Sequence, residues 1–432
     1  MLPPKSPEDI KKLPTLREVI IHFAGVTDDF DFDGGWLSRE HAFPPDLKWN
    51  IPMVDYYNQA ENEDFIVVQT QRGRHTLKPN LRSRPFLFRG QNTDYGSIIS
   101  SFTQQEFRNG KRVQNRVENR EKHLIANLKA EDFMALLKTH PLFMMLDRGV
   151  VLAPETKPIF INMNYYGLAQ HYNFRTGLID FTTDIDVACF FACTCNKGND
   201  KYECITDSSR YGVLYVHKIE PSMTFKAYGF TTIGLQLYPR SGAQKGVCFN
   251  EHETMFDVNK LVQPVYFRHD ADVSQHIFEV MDGGKKLFPS DSISKYAKII
   301  LDGNEVTGAT FANNLYSNCD DYNENLRVLK RNNIKVNWHK VMHFTSEMLN
   351  DLKLDLKNGL WEQFCSQIYF ADHKKGKQMH ESLLNLPRNP AYQHYFDVKE
   401  YSRIIAYDDA LHQRAARNAQ LLQLRKDSSH NF

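Results

Sequence analysis

Apolar residues recur with a helical period along some stretches of this chain and crowd or alternate along others, and the switches between the two predict its elements. Residues 7 to 26 carry Leu16, Val19, Ile20 and Phe23 at helical spacing, and residues 64 to 70 read as a strand. Residues 85 to 89 form a short apolar strand that ends on Arg89, and Gly90 after it lets the backbone turn or a ligand come close. From Tyr95 to about His140 the pattern is helical, with Leu124, Leu128, Phe133, Leu136 and Leu137 three and four residues apart. Beyond Pro154 and Pro158, residues 160 to 172 predict an aromatic-rich helix ending on Gln170, His171 and Tyr172. A strand over 176 to 181 follows. Asp184 then caps a helix through Val187, Ala188, Phe190, Phe191 and Ala192 that is apolar nearly all round and must be interior.

A β-rich half comes next, with strands over 211–219, 224–228, 231–238, 244–250 and 262–268. Helical patterning returns over 271–280 and 292–301, and the rest of the chain is mostly helical. The tail 410–426 reads as a basic amphipathic helix with Leu411, Leu421, Leu422 and Leu424, which docks on the domain or on a second copy to make an oligomer. The fold class expected is α+β: central mixed or antiparallel β-sheets with packed helices, and helical N- and C-terminal extensions. Three parts are expected, a leading α/β module at 1–80, a core domain at 81–302 and a mainly helical region at 303–432.

Composition narrows the class. With 41% hydrophobic and 24% charged residues in 432, the chain is too apolar for intrinsic disorder and too interrupted by charge for a membrane span. The N-terminus lacks the apolar stretch of a secretory signal, so a reducing cytoplasm is expected, and an odd count of seven cysteines agrees. The net charge of +1 excludes the overall field of a dedicated nucleic-acid binder. Locally, two basic runs flank Arg89: Arg72, Arg74, Lys78, Arg82 and Arg84 before it, and Arg108, Lys111, Arg112, Arg116 and Arg120 after it. They are a solvated helix face plus a loop, or a phosphate-attracting rim.

Two metal readings are testable. Asp29, Asp31, Asp33, Gly34 and Glu40 match a calcium-loop spacing, but Pro44 and Pro45 stop the exiting helix and no second loop pairs with it, so an Asp/Gly-rich turn competes. Cys189, Cys193, Cys195 and Cys204 lack the compact paired spacing of a zinc site and read as packed thiols. No structural metal is expected.

The candidate chemistry sits where the apolar strand closes on Asp180, Thr182 and Thr183 beside a new helix N-terminus, a place where α/β folds bind ligands. A carboxylate there needs a partner, and Arg89 or a backbone N–H of the following helix is expected to supply it. His171 pairs with Asp180 or a phosphate, or is a satisfied structural group.

Four separated motifs, Leu87-Phe-Arg-Gly-Gln91, the run from Ala169 to Ala192, the turn from Arg240 to Phe249, and Tyr266-Phe-Arg-His-Asp270 with Leu287-Phe-Pro-Ser-Asp291 downstream, resemble the FRG domain over about residues 80 to 302. The middle motif departs from the family pattern: Asn173 replaces a glycine, Arg175 a proline, Gly177 an arginine and Phe181 a tryptophan. Arg175 is the candidate to replace the lost cation. The resemblance implies a core distantly similar to the ADP-ribosyltransferase fold and NAD as substrate. It implies that Arg89, with Gln91, contacts the dinucleotide, and that Thr182 and Thr183 orient it. His171, Tyr172 and Arg175 complete the expected binding set, and Asp180 joins Arg89 in the catalytic one. A third, catalytic position falls to Gln244 or to Glu253 in the Glu251-His-Glu253 pair; a carboxylate there would stabilise a ribosyl cation and an amide would not. The function expected is an ADP-ribosyltransferase-like or NAD-hydrolysing enzyme, a macromolecular acceptor being open. The alternative is a non-catalytic nucleotide or nucleic-acid recognition module using the same pocket.

Overall fold

The computed structural model describes residues 3–28, 65–69, 74–79, 86–105, 107–108, 111–112, 116–152, 158, 160–161, 163–198, 200–219, 229–233, 236–252, 254, 256–318, 322–340, 342–366 and 376–404. The apolar runs assemble into a mixed α+β fold around one six-stranded sheet. Its strands are β1 (Phe86–Gln91), β2 (Leu178–Thr182), β3 (Tyr211–Lys218), β4 (Phe230–Thr232), β5 (Gly246–Asn250) and β6 (Gln263–Arg268). They lie in the order β4-β5-β2-β1-β3-β6, antiparallel at every step.

Both faces of the sheet are covered, which is why β1 reads as an unbroken Phe-Leu-Phe run instead of an alternating one. On one face Phe86, Phe88, Leu214, Val216 and Phe267 pack against two helices, α1 (Leu16–Asp28) and the buried helix Ile185–Ala192. On the other, Leu87, Ile179, Phe181, Val213, Tyr215 and Val247 share a second core. A third core joins the long helix α2 (Arg116–Lys138) and the short helix α3 (Tyr165–His171) to the C-terminal helices through Phe133, Leu136, Tyr172, Tyr238, Trp361 and Phe364. The helix Ile185–Ala192 is α4 below. Asp184 caps it as expected, accepting from the N–H of Asp186 at 2.8 Å, and Cys189 on it and Cys193 at its C-cap are buried free thiols.

Several boundaries differ from the sequence reading for local reasons. The N-terminal helical stretch is two helices, Pro7–Lys11 and Leu16–Asp28, because Pro14 cannot continue the first. The helix expected from Tyr95 begins at Arg116; before it lie one turn, Ser101–Gln104, and the strand pair Phe107–Arg108 with Lys111–Arg112. Residues 160 to 172 divide into the strand Phe160–Ile161 and α3, whose cap is Asn164. The strand expected over 231–238 stops at Thr232, and Pro239 starts a short helix, α5 (Pro239–Ala243), in place of a polar turn. The strand expected over 224–228, the calcium-loop residues Asp29, Asp31, Asp33 and Glu40, and the tail 410–426 lie outside the described residues. No helix among the described residues is long and apolar enough to cross a membrane.

Candidate functional site

The site begins with a defect in strand pairing. β1 is fully paired with β3, from Phe86↔Lys218 to Gln91↔Val213, and β2 is fully paired with β5, from Leu178↔Asn250 to Thr182↔Gly246. Between β1 and β2 only Phe88↔Thr182 pairs, so beyond it the two strands part and leave main-chain groups without a ladder partner. Arg89 repairs part of this: its Nη1 donates to the main-chain oxygen of Asp180 at 2.7 Å. Gly90 has a different role from the turn or ligand approach expected of it. A Cβ there would lie 1.8 Å from the Ala188 carbonyl oxygen and 2.9 Å from the Ala192 nitrogen, so its missing side chain is what lets α4 lie directly on the strand.

The parting strands, α4, and the loop after β1 enclose a cleft of about 630 Å³. Arg89, Gln91, His171, Asp180, Thr182 and Gln244 all line it. Four of these carry a buried polar atom without a hydrogen-bond partner: Nε of Arg89, Oε1 of Gln91, Nε2 of His171 and Oδ1 of Asp180. Burial pushes the Arg89 guanidinium down from its ordinary value, with Asp180 and Tyr215 pulling it back up. Burial likewise pushes His171 down; the charge of Asp180 opposes this, Arg240 adds to it, and the neighbouring Gln244 amide opposes it. Burial thus favours the neutral imidazole of His171 over the charged form.

The expected Arg89–Asp180 carboxylate pair does not form. Strand alternation puts Arg89 on the face of Leu87 and Asp180 on the opposite face from Ile179 and Phe181, so the guanidinium reaches the Asp180 carbonyl through the split and not the carboxylate. The α4 N–H groups are not its partner either, since Asp184 accepts from them. Asp184 is further held by Lys245 Nζ at 2.5 Å; burial pushes its carboxyl up, and the Lys245 charge and these hydrogen bonds more than reverse that.

The remaining expected residues divide. The Thr182 hydroxyl lines the cleft but accepts from the Asp184 N–H at 3.0 Å, serving the turn. Thr183 Oγ1 is buried without a partner, and the residue is not part of the cleft wall. Gln244 is committed through Nε2 to the Leu287 carbonyl at 3.0 Å. Tyr172 belongs to the helical core instead of the cleft, its hydroxyl donating to Asp291 at 2.5 Å and its ring lying under Arg240. Arg175 is exposed, precedes the first residue of β2 and does not line the cleft, so it does not stand in for an arginine at 177. A Cβ on Gly177 would meet His252 Cδ2 at 2.2 Å, so the His252 ring fills that space. Glu251 accepts from the Ser100 N–H at 3.2 Å and the Thr103 hydroxyl at 2.9 Å and is not part of the cleft wall. Glu253 lies outside the described residues. Asp180 is thus the one carboxylate among the described lining residues. Of the basic runs, Arg120 is exposed and donates to Asn325 at 3.3 Å, and the other side chains lie outside the described residues.

The sequence reading missed the loop from Asn92 to Ser100, which supplies one wall through Asn92, Tyr95, Ser97 and Ile99. Its signal was available in Asp94-Tyr95-Gly96, a turn with an aromatic at its tip directly after the strand that carries Arg89. Phe191 of α4, with Asn196 and Tyr202 beyond it, also lines the cleft.

The family model described as the FRG domain matches residues 84–201, a span that holds Arg89, Gln91, His171, Asp180, Thr182 and all of α4. A search of characterised proteins and a search of solved structures each gave no match.

Proposed function

We propose that the split sheet is an ADP-ribosyltransferase-like core and that its cleft binds NAD, which the protein hydrolyses or uses as an ADP-ribosyl donor. The observation that supports this best is the set of four buried, unpartnered polar atoms on Arg89, Gln91, His171 and Asp180 in one cleft. Arg89 offers a donor, Gln91 and Asp180 offer acceptors and the His171 imidazole offers either, a mixture suited to a carboxamide and ribose hydroxyls. Phe88, Phe181 and Phe191 give the same cleft flat apolar walls for a planar ring.

The chemistry follows from the one lining carboxylate. Breaking the bond between ribose C1′ and nicotinamide sends its electron pair to the ring nitrogen and leaves positive charge on the ribose, which Asp180 stabilises across a poorly solvated gap. Water or an acceptor hydroxyl then bonds to C1′, and neutral His171 takes its proton. Gln244 contributes a dipole only.

Nicotinamide release from NAD tests this. Asp180→Asn is expected to lower turnover about 100-fold or more while NAD still binds, and Arg89→Lys to weaken NAD binding. Equal turnover by wild type and Asp180→Asn would remove Asp180 from the reaction. The recognition-module reading is favoured by Gln244, an amide already spent on Leu287 where a glutamate would serve catalysis; NAD binding without any nicotinamide release decides for it.

A further inference from the structure

Tyr95 is 66% exposed although it belongs to the cleft wall, and a large aromatic left in water at the mouth of a cleft calls for an account. It is held in place from several sides. Its hydroxyl donates to Asn92 Oδ1 at 2.8 Å, and Asn92 Nδ2 donates in turn to the Thr194 carbonyl at 2.9 Å. The loop beneath is pinned by Asp94, whose oxygens accept from the Gly96 N–H at 2.7 Å, the Tyr215 hydroxyl at 3.2 Å and the Tyr266 hydroxyl at 2.7 Å. Asn259 holds the far side, accepting from the Ile98 N–H at 2.7 Å and donating to its carbonyl at 3.2 Å. The exposed ring is therefore already ordered, and stacking on it costs little further entropy.

A cation stands near it. The β1–β3 ladder ends at Gln91↔Val213, and the two chains leave it side by side, so Arg210 emerges at the same end of the sheet as Asp94 and Tyr95. Arg210 is exposed and makes no side-chain hydrogen bond or ion pair among the described residues, although its charge also reaches Asp207, while the Asp94 oxygens already accept from Gly96, Tyr215 and Tyr266. Burial pushes the Tyr95 phenol up, Cys195 adds to this, and the Arg210 charge opposes it, which puts Arg210 within electrostatic reach of the ring.

We propose that Tyr95 and Arg210 form a rim subsite for the adenylate half of the dinucleotide, Tyr95 stacking on the base and Arg210 meeting a phosphate. The assignment rests on the NAD reading of the inner cleft and adds an orientation to it: nicotinamide riboside inward, adenosine at the mouth. Inside, Arg89 is the only cation among the described lining residues and one of its nitrogens already serves the Asp180 carbonyl, which leaves the phosphates to the rim.

Calorimetric titration of AMP, nicotinamide mononucleotide and NAD into the full chain tests the subsite. Tyr95→Ala is expected to weaken AMP and NAD about tenfold and Tyr95→Phe by clearly less, since the ring does the stacking and only its hydroxyl anchor to Asn92 is lost. Arg210→Gln is expected to weaken AMP more at low salt than at high salt. Nicotinamide mononucleotide, which has no adenine, should bind both Tyr95 variants like wild type. Unchanged NAD and AMP affinity in Tyr95→Ala, or wild type that binds nicotinamide mononucleotide but not AMP, overturns the subsite. Tyr95-dependent AMP binding without any binding of nicotinamide mononucleotide or NAD upholds the rim and overturns the NAD reading. Because Tyr95 is exposed, its variants should melt with wild type, which separates lost binding from lost folding.

Discussion

Gly90→Ala gives the sharpest check on how the site is built. The added methyl would start 1.8 Å from the Ala188 carbonyl oxygen, 2.8 Å from its carbon and 2.9 Å from the Ala192 nitrogen. A carbon needs about 3.5 Å from such atoms, so α4 must retreat by more than about 1.5 Å or β1 must leave its ladder with β3. Neither neighbour is a flexible side-chain end; both are helix backbone, and a retreat would loosen Phe88, Val187, Ala188 and Phe190 together. Overpacking where side chains can give costs about 1–3 kcal/mol. With helix backbone as the neighbour the expected loss is at or above the top of that range, read as a shift of the urea midpoint at unchanged slope. Gly96→Ala is the control: its φ of 85° penalises any side chain, but the space is open, so about 1 kcal/mol is expected. A Gly90→Ala midpoint equal to wild type, or a loss no greater than that of Gly96→Ala, would refute the close-approach argument.

Two further outcomes are expected. His140 is fully buried against Tyr238, Phe143 and Phe344, and burial pushes it down to about 3. Its folded value lies below the unfolded 6.5, so its contribution is present above pH 6.5 and lost as pH falls toward 3, at up to about 1.4 kcal/mol per pH unit; in melts from pH 7 to 4 His140→Gln should show a shallower decline than wild type, and parallel declines would exclude it as the titrating group. Glu251→Gln should cost about 1 kcal/mol through its bonds to Ser100 and Thr103 and leave nicotinamide release unaltered; a fall in turnover at unchanged stability would place Glu251 in the catalytic set.

What was legible in the sequence was what is decided locally. The Phe-Leu-Phe run of β1, the Asp184 cap and the all-apolar α4 each follow from residues within one turn or strand of themselves, and each stands within two residues of where patterning placed it. Patterning failed where a breaker acts on its neighbours, as Pro14 and Pro239 do, and where a polar loop is ordered by distant partners, as Asn92 to Ser100 is by Tyr215, Tyr266, Asn259 and Glu251. Gly90 illustrates the limit: a glycine after a strand was visible, but the helix that needs it lies about a hundred residues away, and no local rule names it.

The site was half legible for a related reason. Arg89 and Asp180 were correctly brought to one place, yet expected to neutralise each other, because residue type suggests a pair and only register denies it. Phe88↔Thr182 fixes that register, sends the two side chains to opposite faces, and ends the pairing so that the Asp180 carbonyl takes the arginine instead. The carboxylate is then left without the partner its chemistry demands, close to an imidazole, an amide and a guanidinium nitrogen in the same condition. Each such group costs about 1–3 kcal/mol when buried unsatisfied, and scattered through a core they would simply be instability. Other such atoms do lie elsewhere in the fold, as on Arg268, His269 and Asn314, but the four on Arg89, Gln91, His171 and Asp180 belong to side chains lining one cleft, where a single ligand with matching donors and acceptors could return the cost together, and that grouping is the argument for a binding site where the sheet divides.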